Sequence, residues 1–167
     1  MDIEVFPPST LRWQGRDFAC VLGKGGVRPD KLEGDGATPT GRFPLRRVFY
    51  RPDRLAAPAT RLEAVALVPT DGWCDDPTDA AYNRPVALPY PAGHETLWRD
   101  DAVYDVIVQL GHNDDPVVKG AGSAVFMHVA RPDRAPTEGC VALALEDLLS
   151  VLKDCGPETA IVIHRAG

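Results

Sequence analysis

A histidine and a cysteine, His128 and Cys140, stand twelve positions apart on either side of a polar loop interrupted by prolines. Cysteine is a strong nucleophile only as the thiolate, and a neighbouring imidazole is the usual means of removing its proton near neutral pH. Of the four cysteines in the chain, only Cys140 has this setting. The spacing therefore indicates a Cys–His pair, while a buried thiol and a half-buried histidine remain the ordinary interpretation of each residue alone.

A working Cys–His pair needs oxyanion donors and a group that holds the imidazole. Gly139 immediately precedes the cysteine, so backbone can approach a substrate there without a Cβ in the way. The amides around Gly139 and Cys140 are the candidate donors to a developing oxyanion. The group that orients His128 is left open, because a side chain or a backbone carbonyl would serve. His112 is the second candidate histidine.

Composition bounds the classes of function. A length of 167 residues predicts one domain, residues 1–167. The net charge of −6 argues against a general nucleic-acid or anionic-membrane surface, so neither is expected as a partner. No basic start followed by an apolar run opens the chain, and it reads as cytoplasmic. The cysteines show no CxxC spacing, so free thiols are expected, with no metal and no cofactor.

Many short elements must position the pair, because glycine and proline recur along the chain. Apolar runs and alternation predict strands over 17–23, 41–50, 65–69, 103–110, 124–129 and 160–164. Leucines and a valine at helical spacing predict a helix over 144–153, directly after Cys140, and a weaker pattern predicts one over 54–62. These elements add up to a mainly β fold, a small sandwich or barrel with one or more short helices.

Three separated segments carry a family resemblance. GDGATPTGRFPL at 34–45 is similar to the early turn and strand of the YkuD-type L,D-transpeptidase catalytic domain family, Met127-His128 to its histidine strand, and TEGCV at 137–141 to its nucleophile segment. The resemblance implies a YkuD-like β-sandwich or barrel and cysteine acyl transfer on peptidoglycan stem peptides or muropeptides. It makes Cys140 the nucleophile, His128 its base and Gly139 part of the oxyanion loop. Thr137 takes the family's Ser/Thr place.

Substrate-binding residues are predicted from the charges of the stem peptide. Arginine clamps carboxylates, and Arg131 and Arg134 lie in the loop between histidine and cysteine. A second loop offers aromatic and charged groups, in which Asp75 or Asp76 would bind the diaminopimelate ammonium. Each of these residues also has an ordinary surface-loop interpretation. The predicted substrate-binding set is Arg131, Arg134, Thr137, Trp73, Tyr82, Arg84 and His112.

Two positions depart from the family's wall-crosslinking members, which usually carry histidine before the Gly-Cys and arginine two residues after the cysteine. This chain has Glu138 and Ala142 there. With the cytoplasmic expectation, the departures favour an L,D-carboxypeptidase that removes terminal D-alanine from peptidoglycan tetrapeptides in muropeptide recycling. The alternatives are an L,D-transpeptidase that forms crosslinks or exchanges D-amino acids, and a non-catalytic muropeptide-binding domain.

Overall fold

Short strands make up most of the regular structure in the computed structural model, which describes residues 1–167. The fourteen strands are β1 (Ile3–Phe6), β2 (Thr10–Trp13), β3 (Arg16–Ala19), β4 (Val27–Arg28), β5 (Thr38–Pro39), β6 (Gly41–Tyr50), β7 (Ala64–Ala66), β8 (Asp71–Cys74), β9 (Pro85–Ala87), β10 (His94–Thr96), β11 (Val106–Leu110), β12 (Phe126–Val129), β13 (Val141–Leu143) and β14 (Ala160–Ile163). The single helix, α1, spans Leu145–Leu152.

The main sheet has nine strands in the order β13-β12-β11-β6-β14-β1-β2-β3, with β7 paired to β6. The sheet curls until its two ends approach each other. There, Val21, just past β3, exchanges backbone hydrogen bonds of 2.8 and 2.9 Å with Ala142 in β13. The sheet is therefore a nearly closed barrel. A separate sheet of three strands, β10-β8-β9, and a short parallel pair, β4-β5, complete the fold.

Alternation along β12 and β13 sorts their side chains onto two faces of the main sheet. Met127 and Val129 of β12, with Val141 and Leu143 of β13, belong to the larger buried core. Phe126 and Cys140 belong to a smaller core on the opposite face, which also includes Trp73, Leu97, Tyr104 and Ile107. The pattern places His128 and Ala142 on the same face as Cys140, since they alternate with residues of the larger core.

Helix α1 follows β13 directly and covers the larger core with Leu148, Val151 and Leu152. Glu146 and Asp147 lie in its first turn, where the helix dipole favours acids. With eight residues, α1 is far below the length of a membrane span, and no other helix is present to cross a bilayer.

The mainly β fold and the helix after Cys140 are confirmed. The strand predicted over 41–50 has those bounds, and the others form in shorter or shifted versions. The helix predicted over 54–62 is wrong, because this segment is irregular, with a turn and bends only at its two ends. Pro58 lacks an N–H for helical hydrogen bonds, and the Arg54 side chain instead donates to the backbone carbonyls of Asp100 and Asp101.

Candidate active site

Cys140 lies at the junction between its loop and β13, with a side chain that is almost completely buried. Its Sγ accepts a hydrogen bond from the Phe126 N–H at 3.3 Å and donates to the Ala124 carbonyl at 3.2 Å. Burial raises the pKa of the thiol to about 12, although the hydrogen bond from the Phe126 N–H acts to lower it. The resting residue is therefore a neutral thiol, and it needs a base at the moment of attack.

His128 is also buried, and its ring is held from one side. Nδ1 lies 2.9 Å from the Val129 carbonyl oxygen, which only accepts, so Nδ1 carries the proton. Nε2 is then the basic nitrogen. Burial lowers the pKa of the imidazole to about 4, so it stays neutral at ordinary pH. The orienting group left open by the sequence is thus a backbone carbonyl, and the Tyr104 ring adds an edge contact at 5.4 Å between centroids.

One cavity of about 500 Å³ contains both residues. Cys140 and His128 line it together with Ala142, all on the same face of the main sheet. A thiol and a neutral imidazole in one recess can carry out nucleophilic acyl transfer, the imidazole receiving the thiol proton. No group of three or more His, Cys, Asp or Glu side chains is arranged to hold a metal ion.

The turn before the nucleophile is held by Thr137. Its Oγ1 accepts from the Gly139 N–H at 3.1 Å and donates to the Cys140 carbonyl at 2.7 Å. Gly139 has a φ of +140°, and a Cβ built on it would lie 2.7 Å from the Ala37 carbonyl oxygen. Glycine is therefore required here by both conformation and space. The N–H of Cys140 makes no hydrogen bond within the protein, so it is free to face a substrate.

Four carboxylates line the cavity, and three of them, Glu33, Asp75 and Glu95, are called the acidic wall below. Glu33 accepts hydrogen bonds from Tyr82 and Ser123, and Glu95 accepts one from the Tyr104 hydroxyl. None of the three forms an ion pair within the chain. Burial, reinforced by repulsion among these carboxylates, raises the pKa of Asp75 and of Glu95. The acidic wall is therefore suited to a cationic group of a ligand.

Three cations line the same cavity: Lys31, Arg99 and Arg131. Arg99 pairs with Asp101 at 2.7 Å, and Arg131 lies 3.6 Å from the same carboxylate. Their side chains are between a third and a half exposed, which leaves their remaining donors open to a ligand. Lys31, by contrast, is buried. The cavity thus offers both signs of charge around the thiol.

A family model described as the YkuD L,D-transpeptidase catalytic domain matches residues 3–163. The chain belongs to this family. It is accordingly an enzyme of the cysteine L,D-transpeptidase type, and the resemblance drawn from its three sequence segments is confirmed. Neither the comparison with curated proteins nor the comparison with solved structures gave a match.

The cavity of this YkuD domain includes five of the residues predicted for its site. They are Cys140, His128, Gly139, Thr137 and Arg131. Asp75, one of two acids proposed for an ammonium, also lines the cavity, whereas Asp76 does not. The structure shows that these residues share one cavity, while their roles remain predictions.

The other five predicted substrate-binding residues lie outside the cavity. Trp73 is buried, because its indole packs edge-on against Phe126 and donates to Asn83. Tyr82 is buried behind Glu33, to which its hydroxyl donates at 2.6 Å, so it supports the cavity without lining it. Arg84 donates to the Asp114 carbonyl. Arg134 lines a separate groove beside Cys20, and His112 packs edge-on against Phe43.

Sequence reasoning missed several residues of the YkuD cavity. Lys31, Glu33, Glu95, Arg99 and Tyr104 line it without having been singled out. One signal was available, because Lys31 and Glu33 immediately precede the GDGATPTGRF segment that carried part of the resemblance. No comparable signal marked Glu95, Arg99 or Tyr104, which meet Cys140 only because the fold brings distant segments to one cavity.

Proposed function

We propose that this YkuD enzyme is an L,D-carboxypeptidase, which removes the terminal D-alanine of peptidoglycan tetrapeptides during muropeptide recycling. The observation that carries the proposal is the joint lining of one cavity by Cys140, His128, the acidic wall and two arginines. A stem peptide is zwitterionic, since diaminopimelate carries an ammonium while its own carboxylate and that of the terminal alanine are negative. Both signs of charge therefore have partners beside the thiol.

The reaction follows from the protonated thiol of Cys140 and the neutral imidazole of His128. Nε2 of His128 takes the thiol proton as Sγ of Cys140 bonds to the carbonyl carbon of the L-centre of diaminopimelate. The resulting tetrahedral intermediate collapses, the peptide bond breaks, and D-alanine leaves as an amine with the proton from His128. Water then gives a proton to Nε2, attacks the thioester and releases the tripeptide carboxylate. The thiol is regenerated with the returned proton.

Substrate orientation follows from the charges on the two sides of the reacting bond. The ammonium of diaminopimelate is assigned to the acidic wall, whose carboxylates have no cation of their own. A substrate carboxylate is assigned to Arg131 or Arg99, because guanidinium groups bind carboxylates with two parallel hydrogen bonds. Partners of both signs in one cavity favour one orientation of a zwitterionic peptide over its reverse.

Hydrolysis is favoured over crosslinking by the cavity rim. Glu138 stands where wall crosslinkers usually have histidine, and its carboxylate pairs with Lys24 at 2.9 Å. Ala142 stands at the position of their usual arginine and lines the cavity with a methyl group. We also place the reaction in the cytoplasm, in keeping with four cysteines that are all free thiols. Recovery of the enzyme in the cytoplasmic fraction of its cells would test that location.

Transpeptidation, or exchange of the terminal D-amino acid, is the second candidate function. The observation that favours it is again the acidic wall, because unpaired carboxylates near the thiol are equally suited to the amine of an acceptor. Both reactions proceed through the same acyl-enzyme on Cys140. They differ only in whether water or an amine reaches the thioester.

The test is incubation of the purified enzyme with a disaccharide tetrapeptide, with and without excess D-amino acid, followed by mass spectrometry. We expect the tripeptide in both samples, together with free D-alanine. Cys140→Ala should reduce turnover by at least about 1,000-fold, because loss of the nucleophile leaves only binding and electrostatic effects. Cys20→Ala, which removes a buried thiol outside the cavity, is the matched control and should retain activity.

Each other outcome has a defined meaning. An exchanged tetrapeptide or a new amide bond as the main product would contradict hydrolysis and favour transpeptidation. Muropeptide binding without any product from the wild-type enzyme would contradict both reactions and favour the non-catalytic alternative. Undiminished turnover by Cys140→Ala would exclude the acyl-enzyme.

A further inference from the structure

A buried ammonium group lies beside the nucleophile. The Lys31 side chain is only 5% exposed, lines the cavity shared with Cys140, and forms an ion pair with Asp35 at 2.9 Å. Lysine is rarely buried this far, because its charge must be removed from water. The salt bridge to Asp35 uses one of the three N–H donors of the ammonium, and no other hydrogen bond from it is made within the protein.

Two glycines, Gly122 and Gly139, leave the space that the Lys31 side chain occupies. A Cβ built on Gly122 would lie 3.0 Å from Cε of Lys31, and one built on Gly139 would lie 3.2 Å from its Nζ. Both glycines have positive φ values, +109° and +140°. The lysine stem thus passes along backbone that carries no side chain, and the ammonium reaches the residue directly before the nucleophile.

Asp35, which does not line the cavity, holds the ammonium of Lys31 in place. Its carboxylate accepts backbone N–H bonds from Leu32 at 2.8 Å and Ala37 at 2.9 Å, in addition to the bond from Lys31. Burial opposes its ionisation, but these three donors outweigh burial and lower its pKa to about 2. A carboxylate that is always charged and anchored by backbone keeps Lys31 in one position.

The oxyanion of an acyl-transfer intermediate needs donors at this location. The Gly139 N–H, which the sequence suggested, already donates to Oγ1 of Thr137 at 3.1 Å. The Cys140 N–H is free, but it is a single donor. Acyl-transfer enzymes commonly aim more than one preorganised donor at the oxygen on which charge develops.

We propose that the ammonium of Lys31 is the second donor to this oxyanion, beside the N–H of Cys140. When Sγ adds to the carbonyl carbon, the π electrons of the C=O bond move to oxygen, and Lys31 stabilises the negative charge that forms. When the intermediate collapses, the C=O bond is restored and the amine leaves with the proton from His128. Lys31 transfers no proton. The assignment rests on the acyl-transfer chemistry of the proposed function.

The charge of Lys31 also acts on the attacking atom. Burial raises the pKa of Cys140, and repulsion by Glu95 adds to that, while the positive charge of Lys31 acts in the opposite direction. The same ammonium therefore favours negative charge at the sulfur before attack and at the oxygen after it.

The first experiment compares Lys31→Met with wild type on two tetrapeptides, one with a free terminal carboxylate and one with a terminal amide. We expect kcat to fall by about 100-fold on both substrates with KM nearly unchanged, the usual effect of removing one oxyanion donor. A loss confined to the free acid, with a raised KM, would overturn the proposal, because Lys31 would then bind the terminal carboxylate. Lys153→Met, on the exposed end of α1, is the control and should leave both rates unchanged.

The second experiment tests the role of Lys31 independently of the proposed stem-peptide substrate. Stopped-flow acylation of Cys140 by p-nitrophenyl acetate requires the thiol and the oxyanion donors but no stem peptide. We expect Lys31→Met to slow it by at least about tenfold. If wild type releases no D-alanine but this slowing is seen, the proposed substrate is wrong and the role of Lys31 stands. If acylation is unchanged in Lys31→Met, the role of Lys31 is wrong whatever the peptide assay shows.

A second variant guards against unfolding, because Lys31 is the partner of a buried carboxylate. The Lys31→Gln side chain is one atom shorter than lysine, but it keeps N–H donors that can point toward Asp35 while the charge is removed. This variant should show a loss in the same direction, smaller than that of Lys31→Met, in both assays. Wild-type rates in a folded Lys31→Gln protein would also overturn the proposal.

Discussion

The two sheets that border the cavity contribute different things. The main sheet carries the proposed reacting groups, since His128 lies in β12 and Cys140 directly precedes β13. The three-stranded sheet supplies charge, since Glu95 lies in β10 and Asp75 directly follows β8. In the proposed function, one sheet thus carries the catalytic pair and the other the carboxylates that bind the substrate ammonium.

The sheets also differ in how firmly they are held. All residues of β12 and β13 are buried, and their parallel register pairs His128 with Ala142, two residues beyond the nucleophile. In β9 and β10 only the middle residue is even partly buried. Positions in β12 and β13 therefore tolerate little change, while β9 and β10 can vary at their exposed residues. The comparison predicts that variants of the two sheets affect different kinetic constants.

The largest effect is expected for the imidazole of the main sheet. His128→Gln should lower kcat for D-alanine release by about 100- to 10,000-fold, because it removes the general base without emptying the cavity of its charges. KM should change little. His164→Gln, in a histidine that stacks on Phe6 far from the cavity, is the control and should retain full activity. A large rise in KM with kcat preserved would instead place His128 in substrate binding.

The same residue gives a pH-dependent signature. Because burial lowers the pKa of folded His128 to about 4, its imidazole should titrate there in an NMR experiment. An unfolded histidine binds a proton near pH 6.5, so between about 6.5 and 4 the unfolded state binds more protons. The free energy of unfolding should therefore fall as pH decreases through this window. A midpoint near 6.5 in the folded enzyme would show that the ring is hydrated.

An intermediate effect is expected for the acidic wall. Asp75→Asn and Glu95→Gln should each raise KM for the tetrapeptide by about tenfold and leave kcat within about threefold, because they weaken an ion pair with the substrate ammonium. N-acetylation of the diaminopimelate amine should abolish the difference from wild type. Asp154→Asn, beyond the end of α1, is the matched control. A fall in kcat as large as that of His128→Gln would mean that the two sheets do not divide the work.

The smallest effect is expected at the rim. Glu138→Gln breaks the ion pair between Glu138 and Lys24. The side chain of Lys24 is 60% exposed and that of Glu138 is 79% exposed. Exposed pairs contribute less than about 1 kcal/mol to the free energy of unfolding, so thermal unfolding should hardly change. D-alanine release should stay within about threefold of wild type, because water and salt screen the charge of an exposed side chain. A loss above tenfold would show that Glu138 takes part in the reaction.

Sequence was most informative where a pattern is local. The alternation in β6, the β-branched residues of β14 and the apolar spacing of α1 each contain their own evidence. The neighbours of Cys140 were accessible for the same reason, since Thr137 and Gly139 lie within three residues of it. Strands β12 and β13 pair in parallel, so the loop between them carries the chain back along the sheet and leaves Cys140 beside Phe126.

The remainder depends on contacts between distant segments. Strands β8, β9 and β10 have three or four residues each, too few for a period to be read. Trp73 and Tyr82 appeared in a polar loop, yet the large apolar area of an aromatic ring favours burial once a core is available. A charge in a glycine-rich loop predicts exposure, and the burial of Lys31 is visible only when Gly122 and Gly139 come together.

The passage between those two glycines has a consequence for mutational tolerance. In a saturation scan scored by activity, Gly122 and Gly139 should be as intolerant as the nucleophile, although what each supplies is mainly room. Substitution at Gly122 meets the lysine stem, and substitution at Gly139 meets both the ammonium and the Ala37 carbonyl. Among related domains, the presence of a lysine at this depth should therefore vary together with small residues at both positions. Pairwise covariation would find the lysine where single-position patterns do not.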